Sequence, residues 1–180
     1  MTNQEIIEVS NLSLNARELA REDLSASRYL AILQDNSLFP DAVSFRAHEL
    51  PTNRAIEWGA ACIRELRAPD KRQEGQGSLD CVERWLKVPN DATRWAAKES
   101  ADKAGMSSPA DLLALAVFFS GGSMTPPGSP ETPPPPYAAR KMAAGSIVVA
   151  VLSQTPEKAA ERYKRALALS KDDATAQPQI

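Results

Sequence analysis

Apolar residues recur along this chain at spacings of three and four, and no alternation of apolar and polar residues persists long enough to build a strand, so the pattern predicts an all-α protein. Residues 1–13 carry no such periodicity and are expected to be loose. "SLNARELAREDL" then gives Leu14, Leu19 and Leu24 as a short amphipathic helix, and "SASRYLAILQDN" sets Tyr29, Leu30 and Leu33 on one face, with Asn36 to close it. Pro40 opens the next helix, at a turn where its missing N–H costs little. A longer helix through "AIEWGAACIREL" carries Ile56, Ala60, Ile63 and Leu66 at helical spacing, with Trp58 and Cys62 four apart. Gly59 and two alanines leave that face thin, so a neighbouring helix can approach closely, which fits a central, buried element. Residues 68–78 are polar, with two glycines and no period, and read as a surface loop.

Beyond the loop, Leu79, Val82, Trp85 and Leu86 repeat at helical spacing until Pro89 stops them. Asn90 or Asp91 caps the following helix, and Gly105 closes it where a left-handed residue is wanted. "SSPADLLALAVFFSGG" is the clearest local signature: Ser108 to cap, Pro109 for the first turn, Asp111 facing the positive helix end and Gly121 to terminate. Its centre is apolar all round and must be buried on most sides. "AARKMAAGSIVVAVLSQ" follows, rich in small residues, and a last helix places Ala159, Ala160, Tyr163, Ala166 and Leu167 inward. Its "AAERYKRALALSKDD" looks like the second helix of a tetratricopeptide unit, without a companion at that repeat's period. Residues 171–180 have no packing pattern and are expected to be disordered. One helical domain over 14–170 results.

A chain of 180 residues can bury a core without disulfide or metal staples. Its net charge of −2 comes from alternating signs, with no clustered basic excess of the kind that binds nucleic acid. Acids stand near the N-terminus where a secretory signal has bases, and the apolar run 142–152 is about half of the roughly 20 residues that a spanning helix needs. A soluble, cytoplasmic protein without membrane insertion is expected. Cys62 and Cys81 read as small hydrophobes in a reducing compartment. A single histidine and no paired C-x-x-C unit leave no metal set, and no catalytic or cofactor motif is present. His48, beside Glu49, reads as a hydrogen-bonded packing residue. The sharper alternative, a Cys62 or Cys81 thiolate with His48 as its base, requires contact between them. "SGGS" follows a helix C-terminus, whose polarity repels anions, so it reads as a terminator and not a phosphate cradle.

Residues 126–136 hold seven of the fourteen prolines, between two apolar helices. Three readings are open: a flexible linker, a polyproline II docking motif, or a stiff strap across the bundle, the last favoured because both flanking helices must be buried. The candidate interaction residues are Pro133, Pro134, Pro135, Pro136 and Tyr137, in a strap spanning 121–137. Trp58, Trp85 and Trp95 lie within helical periodicity and read as core or helix-contact residues. In a peptide-binding or apolar-ligand module they would line a groove.

Taken in order, "AHELPTNRAIEWGAACIRE", "CVERWLKVPNDATRWAA", "SSPADLLALAVFFSGGSMTPP", "TPPPPYAARKMAAGSIVVAV" and "PEKAAERYKRALAL" resemble a family of bacterial proteins of unknown function, over roughly residues 41–169. "FFSGGSMTPP" and the four-proline run are the most specific parts. Phe119 stands where some relatives have tryptophan, and a single cysteine where some have two. The resemblance implies no catalytic residue; it implies membership of bacterial multi-protein assemblies, with type VI secretion machinery among them. The expectation is a non-enzymatic adaptor or accessory protein with a protein partner. A small hydrolase or transferase with an unrecognised site, or a peptide or apolar-ligand binding module, is the alternative.

Overall fold

The computed structural model describes residues 1–21, 23–68, 73–126 and 128–172, the last two without their side chains. Among these residues there are ten α-helices and no strand: α1 (Asn3–Val9), α2 (Leu14–Glu18), α3 (Ala26–Asp35), α4 (Phe39–Glu49), α5 (Thr52–Leu66), α6 (Gln76–Lys87), α7 (Asp91–Lys103), α8 (Pro109–Phe118), α9 (Ala138–Leu152) and α10 (Ala159–Asp172). The all-α, single-domain architecture is as the periodicity predicts. The tail expected over 171–180 lies outside the described residues, except for the end of α10.

Two hydrophobic clusters share one wall. The first gathers α1 to α4 and α10 around Tyr29, Leu33, Phe45 and Tyr163; the second gathers α6, α7 and α8 around Leu79, Val82, Trp85 and Leu113. Helices α5 and α9 contribute to both. Trp58, Cys62 and Leu66 of α5 face the first cluster, while Ala55, Ile56, Ala60 and Ile63 face the second. Trp58 is fully buried and its Nε1–H donates to Ala166 O at 2.7 Å, which ties α10 to the wall. Gly59 is where α8 and α9 come closest: a Cβ there would lie 2.6 Å from Leu113 Cδ1 and 3.5 Å from Ser146 Oγ.

Helices α1, α2, α3, α7 and α8 begin on a side-chain cap. Asn90 and Ser108 each form a capping box, Ser108 with Asp111, and Ser25 caps α3. Asp111 does more than face a helix end. It is fully buried and accepts from Ser108 Oγ at 2.8 Å, from the Ser108 amide at 2.9 Å and from Ser78 Oγ at 2.5 Å, which joins α6 to α8.

Several expectations are corrected. Residues 1–13 are not loose: Thr2 and Glu5 form a capping box for α1, Ile6, Ile7 and Leu12 are buried, and Ser44 Oγ donates to Ser10 O. The polar loop 68–78 ends early, because Gly75 turns at φ +67° and α6 begins at Gln76; Pro69 to Arg72 lie outside the described residues. Leu14 is exposed rather than packed, and so is Ala160. Gly122 and not Gly121 takes the left-handed conformation after α8.

Two glycines therefore predict opposite signs. Gly59→Val should destabilise by about 1–3 kcal/mol through overpacking. Gly145→Ala, at a position in α9 with nothing within 4 Å of the added Cβ, should stabilise by roughly 0.5–1 kcal/mol. Urea unfolding of the two variants checks both.

Candidate functional site

The prolines lie at the junction of α8 and α9, and an arginine buried on α7 organises that junction. Arg94 is only 4% exposed. Its Nη1 donates to Phe118 O at 2.9 Å, closing the end of α8, and its Nη2 donates to Ser123 O at 2.8 Å. Asp91 balances the charge at 2.6 Å. The guanidinium also lies over the Phe118 ring, 4.9 Å from its centroid, and Phe118 meets Trp95 edge-on at 5.0 Å. Gly122, at φ +67°, passes so close that a Cβ would lie 2.9 Å from Arg94 Nη2, so both space and backbone require glycine there.

Residues 123–126 and 128–132 then fold back on one another. The Met124 amide donates to Thr132 O at 2.7 Å, and Ser123 Oγ accepts from the amides of Thr125 and Thr132 at 3.1 and 3.0 Å. Thr125 Oγ1 donates to Pro130 O at 2.6 Å. The strap expected over 121–137 begins as a loop closed by hydrogen bonds and continues as a short extended run, because small hydroxyl residues between the prolines supply the turns.

In the run itself Pro133, Pro135, Pro136 and Tyr137 are exposed and Pro134 is half-buried. Proline fixes φ near −65° and pushes the residue before it into the extended region, so residues 132–135 are held in polyproline II geometry by their own covalent structure. The run ends at Tyr137, which adopts φ +60° and opens α9 without a side-chain cap. An open depression of about 320 Å³ separates it from the body, walled by Pro134, Pro135, Pro136, Tyr137, Thr52, Phe119 and Arg140. The sequence marks the prolines and Tyr137 together; Arg94 it does not, since nothing local distinguishes that arginine from a surface one.

The three tryptophans do not form a groove. Trp58 is fully buried in the first cluster, Trp85 is buried in the second, and Trp95 is half-buried against Phe118. No disulfide joins Cys62 and Cys81, and the Cys62 thiol donates to Ala166 O at 3.8 Å. His48 is 1% exposed; its Nδ1–H donates to Ser44 O at 2.8 Å, and its Nε2 has no hydrogen-bond partner. Neither nitrogen therefore engages a thiol, and the cysteine–histidine pair is not formed. His48 lies beneath the tract, its ring centroid 6.1 Å from that of Tyr137, and Arg140 Nη1 donates to its carbonyl at 3.0 Å. Among the described residues no group of three or more His, Cys, Asp or Glu could hold a metal ion, and no helix is long and apolar enough to cross a membrane.

The model of a family of unknown function, DUF6931, matches residues 29–172, most of the chain. The chain belongs to the DUF6931 family. No curated protein and no solved structure matches it. The matched region runs from α3 to the end of α10, so the proline junction, Arg94 and His48 all lie within the DUF6931 domain, while α1 and α2 precede it.

Arg94→Met should cost about 1–3 kcal/mol for each carbonyl left buried without a donor, and should speed hydrogen exchange at the Met124 and Thr132 amides. His48 is the chain's single histidine. Burial lowers its pKa below the ordinary 6.5, a shift that the nearby Arg140 and Lys141 reinforce and the Ser44 hydrogen bond opposes. The unfolded chain therefore takes up this proton at a higher pH than the folded one, so the contribution to stability is complete above pH ~6.5 and is lost as the pH falls toward the folded value. Urea unfolding between pH 7.5 and 5.5 should show stability falling with pH, and His48→Gln should flatten that slope.

Proposed function

We propose that this DUF6931 protein is a non-enzymatic interaction module, an adaptor or accessory protein of a bacterial multi-protein assembly, and that residues 133–137 are its contact surface. Type VI secretion machinery is the assembly that the family resemblance suggests. One observation carries the reading: a segment stiffened by four consecutive prolines is turned outward. Pro133, Pro135, Pro136 and Tyr137 are exposed while the loop before them is closed by hydrogen bonds. A stiff, exposed polyproline segment loses little conformational entropy on binding, and aromatic-lined grooves recognise such segments. Two buried charged groups, by contrast, are committed to the fold: Asp111 to α6 and α8, Arg94 to α8 and the loop.

The test is cross-linked co-purification from the encoding bacterium, with the native chain and with a variant carrying Ser in place of Pro133, Pro135 and Pro136. These side chains are exposed, so the variant should unfold at nearly the native temperature. It should lose at least one specific partner by tenfold or more. A partner set that is empty, or that the variant leaves unchanged, would contradict the reading.

A further inference from the structure

The charge around residues 133–137 identifies the kind of surface that would receive them. Three arginines sit where helix physics favours a cation, at the C-terminal ends: Arg94 on the Phe118 carbonyl of α8, Arg162 on the Val151 carbonyl of α9 and Arg46 on the Ser170 carbonyl of α10. Arg28 and Arg54 lie at the opposite ends, in the first turns of α3 and α5, and so does Arg140 at the start of α9. The first turn of α9 contains no acid and carries Arg140 and Lys141, at the positive end of the helix dipole and without a side-chain cap. Neither has an ion-pair partner among the described residues. Arg140 donates to the His48 carbonyl, and Glu49, which lines a second depression that Arg140 also borders, is engaged by Arg46 at 2.7 Å. Thr52, at the start of α5, opens onto the same depression as Tyr137, and that helix too begins without a side-chain cap or a first-turn acid. Along the chain the charge next to the other end of the proline run is Glu131, which is exposed and gives the run an acid before it and two bases after it.

Tyr137 adds a second observation. A bulky residue at φ +60° is strained, and such strain persists where something other than local stability selects the side chain. The ring is nonetheless 38% exposed, at the positive end of the run. With three residues per turn, Pro133 and Pro136 share one edge about 9 Å apart, while Pro134 faces the body.

We propose that the occupant of this surface is a protein groove with aromatic walls and an acidic rim at one end, its walls taking the Pro133 and Pro136 edge and Tyr137, and its carboxylates meeting Lys141 and Arg140. This rests on the reading of residues 133–137 as the contact surface. Charge complementarity fixes the direction in which the run lies in the groove and adds salt sensitivity to binding.

The test begins with a photo-cross-linking residue at the exposed position 135, in cells, followed by mapping of the cross-linked peptide. The captured partner is then purified and titrated with the native protein, with Lys141→Glu, which alters an exposed side chain, and with Tyr137→Gly. The mapped peptide should contain aromatic residues and Asp or Glu. Lys141→Glu should weaken binding about tenfold, and raising the salt concentration should reduce the native affinity toward that of the variant. Tyr137→Gly should raise the unfolding temperature by about 2–4 °C, on the size scaling for such chains, while weakening binding. A cross-linked partner whose affinity ignores both Lys141→Glu and salt overturns the acidic groove and leaves the contact surface standing. A cross-link to a second copy of this chain overturns the groove as well, and no cross-link from position 135 overturns both.

Discussion

A helix covered on both sides cannot carry large side chains on both without forcing its neighbours apart, and α5 and α9 are covered on both sides. They meet the constraint by asymmetry. On α5 the side facing the first cluster carries Trp58, Cys62 and Leu66, while the side facing the second alternates Ile56 and Ile63 with Ala55 and Ala60, and Gly59 beside them has no side chain. On α9, Ile147 and Val151 face the first cluster, while Ala143 and Ala150 face the second. Packing at interior density then lets α8 lie against both helices, and the remaining helices attach to one side or the other of this wall.

Burying α8 on nearly every side creates a secondary problem at its end, where the last carbonyls of a helix have no intrahelical donor. Water cannot serve them in the interior. The Arg94 guanidinium does, and because it presents several donors in a fixed fork it reaches Ser123 in the loop with the same group. The loop that follows is made of residues that ask little of their surroundings: prolines contribute no N–H, and Ser123, Thr125 and Thr132 pair with one another or with nearby backbone. A segment satisfied in this way can be both exposed and ordered.

The helical architecture was legible because most of its elements announce themselves locally. Ser108, Pro109 and Asp111 mark the start of α8 without reference to anything distant, and the thin face around Gly59 correctly marks α5 as central. What was not legible is long-range. The pairing of Ile6, Ile7 and Leu12 with α4 makes residues 1–13 an ordered part of the fold, yet three apolar residues in a polar stretch give no period to detect. Ala160 matches the inward register of α10 but is exposed, since an alanine at the border of a helix face adds little by being covered. The proline tract was legible as stiff but not as a closed loop, because its folding back depends on which hydroxyls find which carbonyls. Arg94 was invisible for the same reason: its importance comes from Phe118 and Ser123, 24 and 29 residues away.

The distribution of buried charge also bears on what kind of function the molecule can support. A catalytic site needs polar groups that converge on a reacting atom and are not already saturated. Here Arg94 and Arg162 are consumed at helix ends, and Asp111 accepts from three donors in a place with no solvent access. His48 retains a free lone pair at Nε2, but its ring lies beneath Tyr137 with no nucleophile bonded to it. In the proposed interaction role the proline run matters because it differs from an ordinary exposed loop in one physical respect. Its conformation is imposed covalently by the pyrrolidine rings and fixed to the body at both ends, through the Arg94-bound loop on one side and the first turn of α9 on the other. Most of the ordering cost of binding is met during folding, so contacts of modest area to an exposed edge can yield specific association.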